Sequence, residues 1–241
     1  MIIGICLLFE SLGFCADKQY YSTLDLGVCM NGSKTYDQNS TERQYPYKFS
    51  SVFTKFGIGV GSHINDSYDI GLELLRFSNI KHKYNGPIME IDPQPYKNFI
   101  PIAHPPKDHM AKARQKIHST VFMLSGKKQK IDLYFKGGIG LALNQSDDYR
   151  RVLGGTADIR YPGDTQQTFA LNLGLGLQKK IDLFSVGFGY DFYRLGRFKT
   201  QDRMVLYNLE NQPIISAETE GKKLKPSIMV HSISLSLSYD L

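Results

Sequence analysis

The chain closes on Ile233-Ser-Leu-Ser-Leu-Ser-Tyr239-Asp-Leu241, nine residues that alternate apolar and polar without interruption. A β-strand turns successive side chains to opposite faces, so Ile233, Leu235, Leu237, Tyr239 and Leu241 share one face. Ser232, Ser234, Ser236, Ser238 and Asp240 share the other. A strand with one fully apolar and one small polar face separates two different surroundings, and the other strand-like segments repeat this division.

From Tyr20 to Met30 the even positions Leu24, Leu26, Val28 and Met30 are apolar, against Thr23, Asp25 and Gly27. From about Tyr47 to Ser62, Val52, Phe56, Ile58 and Val60 oppose Lys55, Gly57, Gly59 and Gly61. From Tyr68, Ile70, Leu72 and Leu74 oppose Asp69, Gly71 and Glu73, until Leu74-Leu75-Arg76-Phe77 breaks the alternation and marks a candidate bulge. Arg114 to Ser125 is a further strand of unfixed parity. From Ile131 the odd positions to Leu143 are apolar, against Asp132, Tyr134, Lys136, Gly138, Gly140 and Ala142. Phe169 to Leu177 and Phe184 to Phe192 alternate as cleanly as the closing strand.

The connections alternate between long and short. His63 to Ser67, Gly126 to Gln129 and Lys179 to Asp182 read as tight turns. Asn31 to Tyr45, Asn79 to about Ala113, Asn144 to Gln167 and Gly196 to Pro226 read as long loops, the second on the strength of Pro87, Pro93, Pro95, Pro101, Pro105 and Pro106. Eight strands so connected place three short turns and both chain ends on one rim, and four long loops on the other. The expected fold is all-β, an eight-stranded antiparallel up-and-down barrel.

Composition assigns its faces. A soluble, lipocalin-like barrel would fill its inside with large apolar side chains and meet water with Lys and Glu. Here the polar face is mostly Gly, Ser, Ala and Asn with isolated charges, as a narrow lumen requires, and the apolar face needs an apolar surrounding such as a bilayer. No apolar run approaches the roughly 20 residues of a spanning helix. Aromatics near strand ends, among them Tyr20, Tyr68, Tyr190, Phe192 and Tyr239, suit interfacial belts.

Residues 1–16 are expected to be a secretory signal peptide, from the apolar run Met1-Ile-Ile-Gly-Ile-Cys-Leu-Leu-Phe9 with cleavage near Cys15 or Ala16. Residues 17–241 are then the barrel domain. Leu12-Gly-Phe-Cys15 has the outline of a lipoprotein site, against which the bulk of Phe14 argues. Cleavage leaves Cys29 as the one cysteine and permits no intrachain disulfide. The six histidines have no cysteine or carboxylate at zinc-site spacing, so neither metal nor cofactor is expected.

With eight strands, this loop layout and this closing pattern, the chain resembles the small eight-stranded outer-membrane proteins: the OmpA transmembrane domain, OmpX and the Opa-type surface antigens. The run Ile233, Leu235, Leu237, Tyr239, Leu241 resembles the C-terminal assembly signal of that class, with Leu in place of the usual terminal Phe or Trp. The resemblance implies a Gram-negative outer-membrane location and recognition by the barrel-assembly machinery. It also implies contact with outer-membrane lipid and lipopolysaccharide. Ending at Leu241, the sequence is expected to lack the periplasmic peptidoglycan-binding domain of full-length OmpA.

Two groups of charges bear on function. Lys55, Glu73, Lys136 and Asp191 lie on the polar faces about eight to ten residues from the short turns, Asp25 should lie close by, and the five are expected to form a lumenal salt-bridge layer near mid-height. Lys81, Lys83, Lys97, Lys107, Lys112 and Arg114 form a basic patch in the outer loops. Between Ile80 and Lys116 there are seven Lys or Arg against three acids, an excess of four in a chain of formal net charge +6. Such a rim attracts lipopolysaccharide phosphates or acidic host glycans. Nucleic acid is not an expected partner, because no binding module surrounds these charges. His118-Ser119-Thr120 and His231-Ser232 set a histidine beside a serine, but adjacent strand residues face opposite ways, so no enzyme is expected. The expected function is a structural anchor displaying long loops for adhesion to host, matrix or lipopolysaccharide. The alternatives are a narrow, porin-like pore for small solutes or ions and a secreted lipocalin-like carrier.

Overall fold

The structure, a computed structural model, describes residues 19–31, 52–87, 110–153, 157–198, 201, 203–207, 213–218 and 227–241. The expected signal peptide, the loop from Asn31 to Tyr45 beyond its first residue, and the basic-patch members Lys97 and Lys107 lie outside these residues.

Eight strands close the barrel. They are β1 (Tyr20–Asn31), β2 (Val52–Asn65), β3 (Tyr68–Pro87), β4 (Met110–Lys130), β5 (Leu133–Ser146), β8 (Thr165–Ile181), β9 (Phe184–Arg197) and β12 (Ser227–Asp240). Each pairs antiparallel with its neighbours in the order β5, β8, β9, β12, β1, β2, β3, β4 and back to β5. Closure runs from Tyr21↔Asp240 to Asn31↔Val230, so the terminal strand pairs with the first along its length. A closed barrel leaves no ladder edge unpaired, as a membrane interior requires.

The apolar faces all point outward. Leu24, Leu26, Val28, Met30, Ile58, Leu72, Phe122, Leu141, Leu171, Leu173, Leu175, Leu177, Phe188 and the closing run Ile233, Leu235, Leu237, Tyr239 and Leu241 are exposed on the barrel exterior. That is the reverse of a lipocalin-like carrier. Inside, glycines make room for the few large rings: a side chain at Gly61 would collide with Tyr21, and one at Gly189 with the Tyr134 hydroxyl.

Two sequence expectations change. The turn placed at Gly126 to Gln129 lies instead at Ile131 and Asp132, because β4 keeps its pairing down to Lys130↔Leu133. The long loops also carry strands of their own. β3 and β4 continue pairing to Pro87↔Met110, beyond the loop start at Asn79, and the bulge sits between Phe77 and Ile80, with Asn79 at φ 60°. The segment from Asn144 to Gln167 holds the hairpin β6 (Tyr149–Leu153) and β7 (Ala157–Tyr161), and that from Gly196 to Pro226 holds β10 (Arg203–Tyr207) and β11 (Pro213–Glu218). These short strands attach to β4 in the order β4, β6, β7, β10, β11, extending the barrel wall into a sheet on the long-loop side.

Two outcomes follow. Leu173, 66% exposed on the clean strand β8, faces lipid, so Leu173→Arg will destabilise the barrel in bilayers by about 2–4 kcal/mol, measured by denaturant unfolding from vesicles; a cost within about 0.5 kcal/mol, as on a water-facing surface, contradicts a lipid exterior. Ile131 holds φ 56° in an exposed two-residue turn, a strained conformation for a β-branched side chain that Asn tolerates. Ile131→Asn will stabilise the barrel by about 1 kcal/mol in the same assay.

Candidate functional site in the barrel lumen

Alternation leaves the lumen to the polar faces, and β2 places Lys55 there with 1% of its surface exposed. Its Nζ donates to Asp25 Oδ2 at 2.8 Å, Tyr193 Oη at 2.9 Å, Ser234 Oγ at 2.8 Å and Asp191 Oδ2 at 3.2 Å. An ammonium has three protons, so these four acceptors share them. The partners come from β1, β9 and β12, and one side chain thus ties four barrel strands together across the seam between the first and last. Ser234 also donates to Asp191 Oδ2 at 3.0 Å.

Glu73 and Lys136 form the second pair, 2.7 Å apart, with Ser125 Oγ donating to the other Glu73 oxygen at 2.7 Å. All five residues expected to form the lumenal layer therefore fall into two groups. Asp25, Asp191, Glu73 and Lys136 line one polar cavity of about 50 Å³. The five side chains carry two positive and three negative formal charges, and one oxygen each of Asp25 and Asp191 has no protein partner. A lumenal water satisfies such atoms, given polar walls and this volume.

Toward the short-turn rim a third network closes the barrel. His63 Nδ1 lies 2.6 Å from Asp69 and its Nε2 3.3 Å from Asp240 of the closing strand. Lys127 pairs with Asp69 at 2.8 Å, and Lys180 with Asp240 at 2.5 Å. Sequence reasoning missed this network, although Asp240 carried a signal: it stands alone after four serines on a lumenal face.

On the long-loop side of Lys55 the lumen turns apolar. Cys29, Phe53, Leu75, Phe77, Ile80, Ile117, Val121, Met123, Tyr193, Leu195, Phe198, Ile228 and Val230 form one buried cluster, with Phe77 edge to face against Tyr193 at 5.1 Å. This plug explains the two places where alternation failed. At Leu74 to Phe77 and Val121 to Leu124 the lumenal residues meet the plug while their neighbours meet lipid, so both faces are apolar.

Of the outer basic patch, Lys81 and Lys83 fall on β3, and Lys112 and Arg114 on β4, with Lys83 directly opposite Arg114. Of the His/Ser neighbours, Ser119 is fully buried while His118 is partly exposed, where its Nδ1 accepts the Asn79 amide at 3.4 Å. Ser232 bonds Ser234 inside, whereas His231 contacts the exposed Tyr190 hydroxyl at 2.5 Å. Neither pair brings nucleophile and base together.

No protein-family model matches the sequence, and no curated protein matches it. Solved structures do. The outer membrane protease OmpT from Escherichia coli superposes with a TM-score of 0.50 at 9% identity, over 95% of this chain and 99% of that one. The outer membrane protein OprG from Pseudomonas aeruginosa gives 0.45 at 12% identity, over 94% and 97%, and Neisserial surface protein A gives 0.41 at 13%, over 94% and 100%. At such identities the likeness is one of fold: this chain is built as an outer-membrane β-barrel.

Removing the central ammonium leaves two buried carboxylates without their cation. Lys55→Met will cost about 3–5 kcal/mol in denaturant unfolding, and Lys55→Met/Asp25→Asn/Asp191→Asn will recover most of it. Equal stability of Lys55→Met and the parent would contradict the central role of this cluster.

Proposed function

We propose that this protein is a surface-display barrel of the bacterial outer membrane, whose lumen is a structural anchor and whose long-loop side makes contact with host, matrix or lipopolysaccharide. The observation that carries this reading is the sealed lumen. An apolar plug lies above an ion-pair layer and a cavity of about 50 Å³, which holds a water or two but gives no route for solutes across the described residues. The same observation argues against the pore alternative. What the chain extends instead is its long-loop side, where β6, β7, β10 and β11 build out from β4.

The protein is non-catalytic in this reading. Support comes from His118 and His231, each set on the opposite face from the serine beside it. The likeness to a protease is one of fold and brings no activity to these residues.

The full chain in planar bilayers will show no steady ohmic channel, while Lys55→Met/Phe77→Ala/Tyr193→Ala, which opens both the ion layer and the plug, will conduct. Host-cell or glycan binding will be lost when residues 88–109 are trimmed, with the barrel still folded. Ohmic channels in the untrimmed parent that survive loop trimming would overturn the display reading in favour of a pore.

A further inference from the structure

At the short-turn rim two carboxylates share one imidazole, and a lysine holds each of them from its other side. Asp69 on β3 offers Oδ1 to His63 Nδ1 at 2.6 Å and Oδ2 to Lys127 of β4 at 2.8 Å. Asp240 on β12 offers Oδ1 to His63 Nε2 at 3.3 Å and Oδ2 to Lys180 of β8 at 2.5 Å. Each carboxylate is paired with an ammonium group, which keeps it ionised, and an ionised carboxylate only accepts hydrogen bonds. A neutral imidazole has one N–H, so its bare nitrogen would face a carboxylate lone pair. Only the imidazolium donates at both nitrogens, and this arrangement calls for it.

The formal charges of the lumen point the same way. Asp25, Asp69, Glu73, Asp191 and Asp240 carry five negative charges, and the lysines bound to them, Lys55, Lys127, Lys136 and Lys180, carry four positive ones. A proton on His63 brings this group to neutrality. The ring also packs against Tyr21 of β1, centroid to centroid at 5.0 Å, a phenol that stays uncharged through neutral pH. Lys127 lies over the same tyrosine ring at 5.6 Å. Because β1 stands between β2 and β12, the contact from His63 to Asp240 reaches over one strand and across the closure. Two backbone bonds hold the chain end beside it, Asp240 N–H to the Leu183 carbonyl and Leu241 N–H to that of Tyr20, each at 2.8 Å. Tyr21 and Lys127 also line the lumenal cavity of about 50 Å³, so the network stands at the short-turn side of that cavity. Tyr68 and Tyr239, next in sequence to the two carboxylates, are exposed on the outer face as an interfacial belt. His63 thus sits at the water boundary rather than within the span, and its side chain is 29% exposed, open to proton exchange with the medium.

We propose that His63 is a proton-operated clasp: as imidazolium it ties the end of the closing strand to β2 and β3 and shuts the short-turn mouth of the lumen, and on losing its proton it releases that end. The direction of the pH dependence follows from the partners. The Asp69 hydrogen bond, acting against partial burial and joined by Asp240, raises the pKa of His63 above its ordinary value. Below that ordinary value, about 6.5, folded and unfolded chains both hold the proton and the clasp contributes in full. Its contribution is lost as the pH rises through the raised midpoint of the folded chain. The clasp is independent of what the long loops bind.

The test uses the full chain folded in vesicles, with urea unfolding midpoints measured from about pH 6 to about pH 9. The parent will lose stability across this range. His63→Gln will be less stable than the parent at the acid end and will stay level as the pH rises. Asp240→Asn changes only the penultimate residue and removes one of the two carboxylates. It will show a smaller pH dependence than the parent, which keeps the test decisive should His63→Gln fail to assemble. His118→Gln and His231→Gln, whose rings bond Asn79 and Tyr190 away from this network, will keep the parent's dependence. Amide hydrogen exchange reads the release itself: in the parent the protection of Asp240 and Leu241 will fall with rising pH relative to that of Leu235 in the same strand, and in His63→Gln it will be low throughout. A parent whose stability is level or rises from the acid to the alkaline end overturns the clasp, as does an Asp240→Asn profile that matches the parent's. Chain-end protection that keeps pace with Leu235 at every pH overturns it as well.

Discussion

One buried ammonium sets the terms for the rest of this barrel. A lysine withdrawn from water costs several kcal/mol unless its charge is matched nearby, and Lys55 meets that condition only if β1, β9 and β12 bring Asp25, Asp191, Tyr193 and Ser234 to it. Those residues sit on both sides of the seam where the chain closes. A slip of one residue in either closing strand would turn Asp25 or Ser234 out to lipid and leave Lys55 unmatched. The cluster therefore acts as a register lock as well as a filling for the lumen. The small residues around it, Gly27 and Gly57 among them, leave the room in which four side chains converge.

Around this point the lumen is layered. The His63, Asp69 and Asp240 network fastens the closing strand at the short-turn rim, the two ion clusters occupy the middle, and the apolar plug seals the long-loop half. The outside has its own order along the same axis, a continuous apolar belt followed by the extended sheet. The two orders run on opposite faces of the same strands, so one sequence carries both.

Much of this was legible in the residues. Period-two alternation gave seven of the eight barrel strands their faces, Arg114 to Ser125 having no fixed parity, and the isolated charges at Asp25, Lys55, Glu73, Lys136 and Asp191 stood out against Gly and Ser. Other features lacked a local signature. Phe53, Phe77 and Val121 line the lumen, but beside lipid-facing Val52, Phe56 and Phe122 they read only as a lapse of alternation. β6, β7, β10 and β11 are five or six residues long and sit among turn formers, too short to set up a clear period. His63 gave no sign of its two carboxylate partners, since Asp240 is brought to it by closure alone.

The measurement that bears most directly on this account is the electrophoretic mobility in SDS of protein taken from the membrane fraction, boiled against unboiled. A closed barrel locked from within and clothed in apolar side chains needs detergent to leave the membrane, and it will run faster unboiled and shift on heating. A chain that is soluble without detergent and migrates identically before and after boiling would contradict it, for neither the lipid-facing belt nor the lumenal lock would then exist.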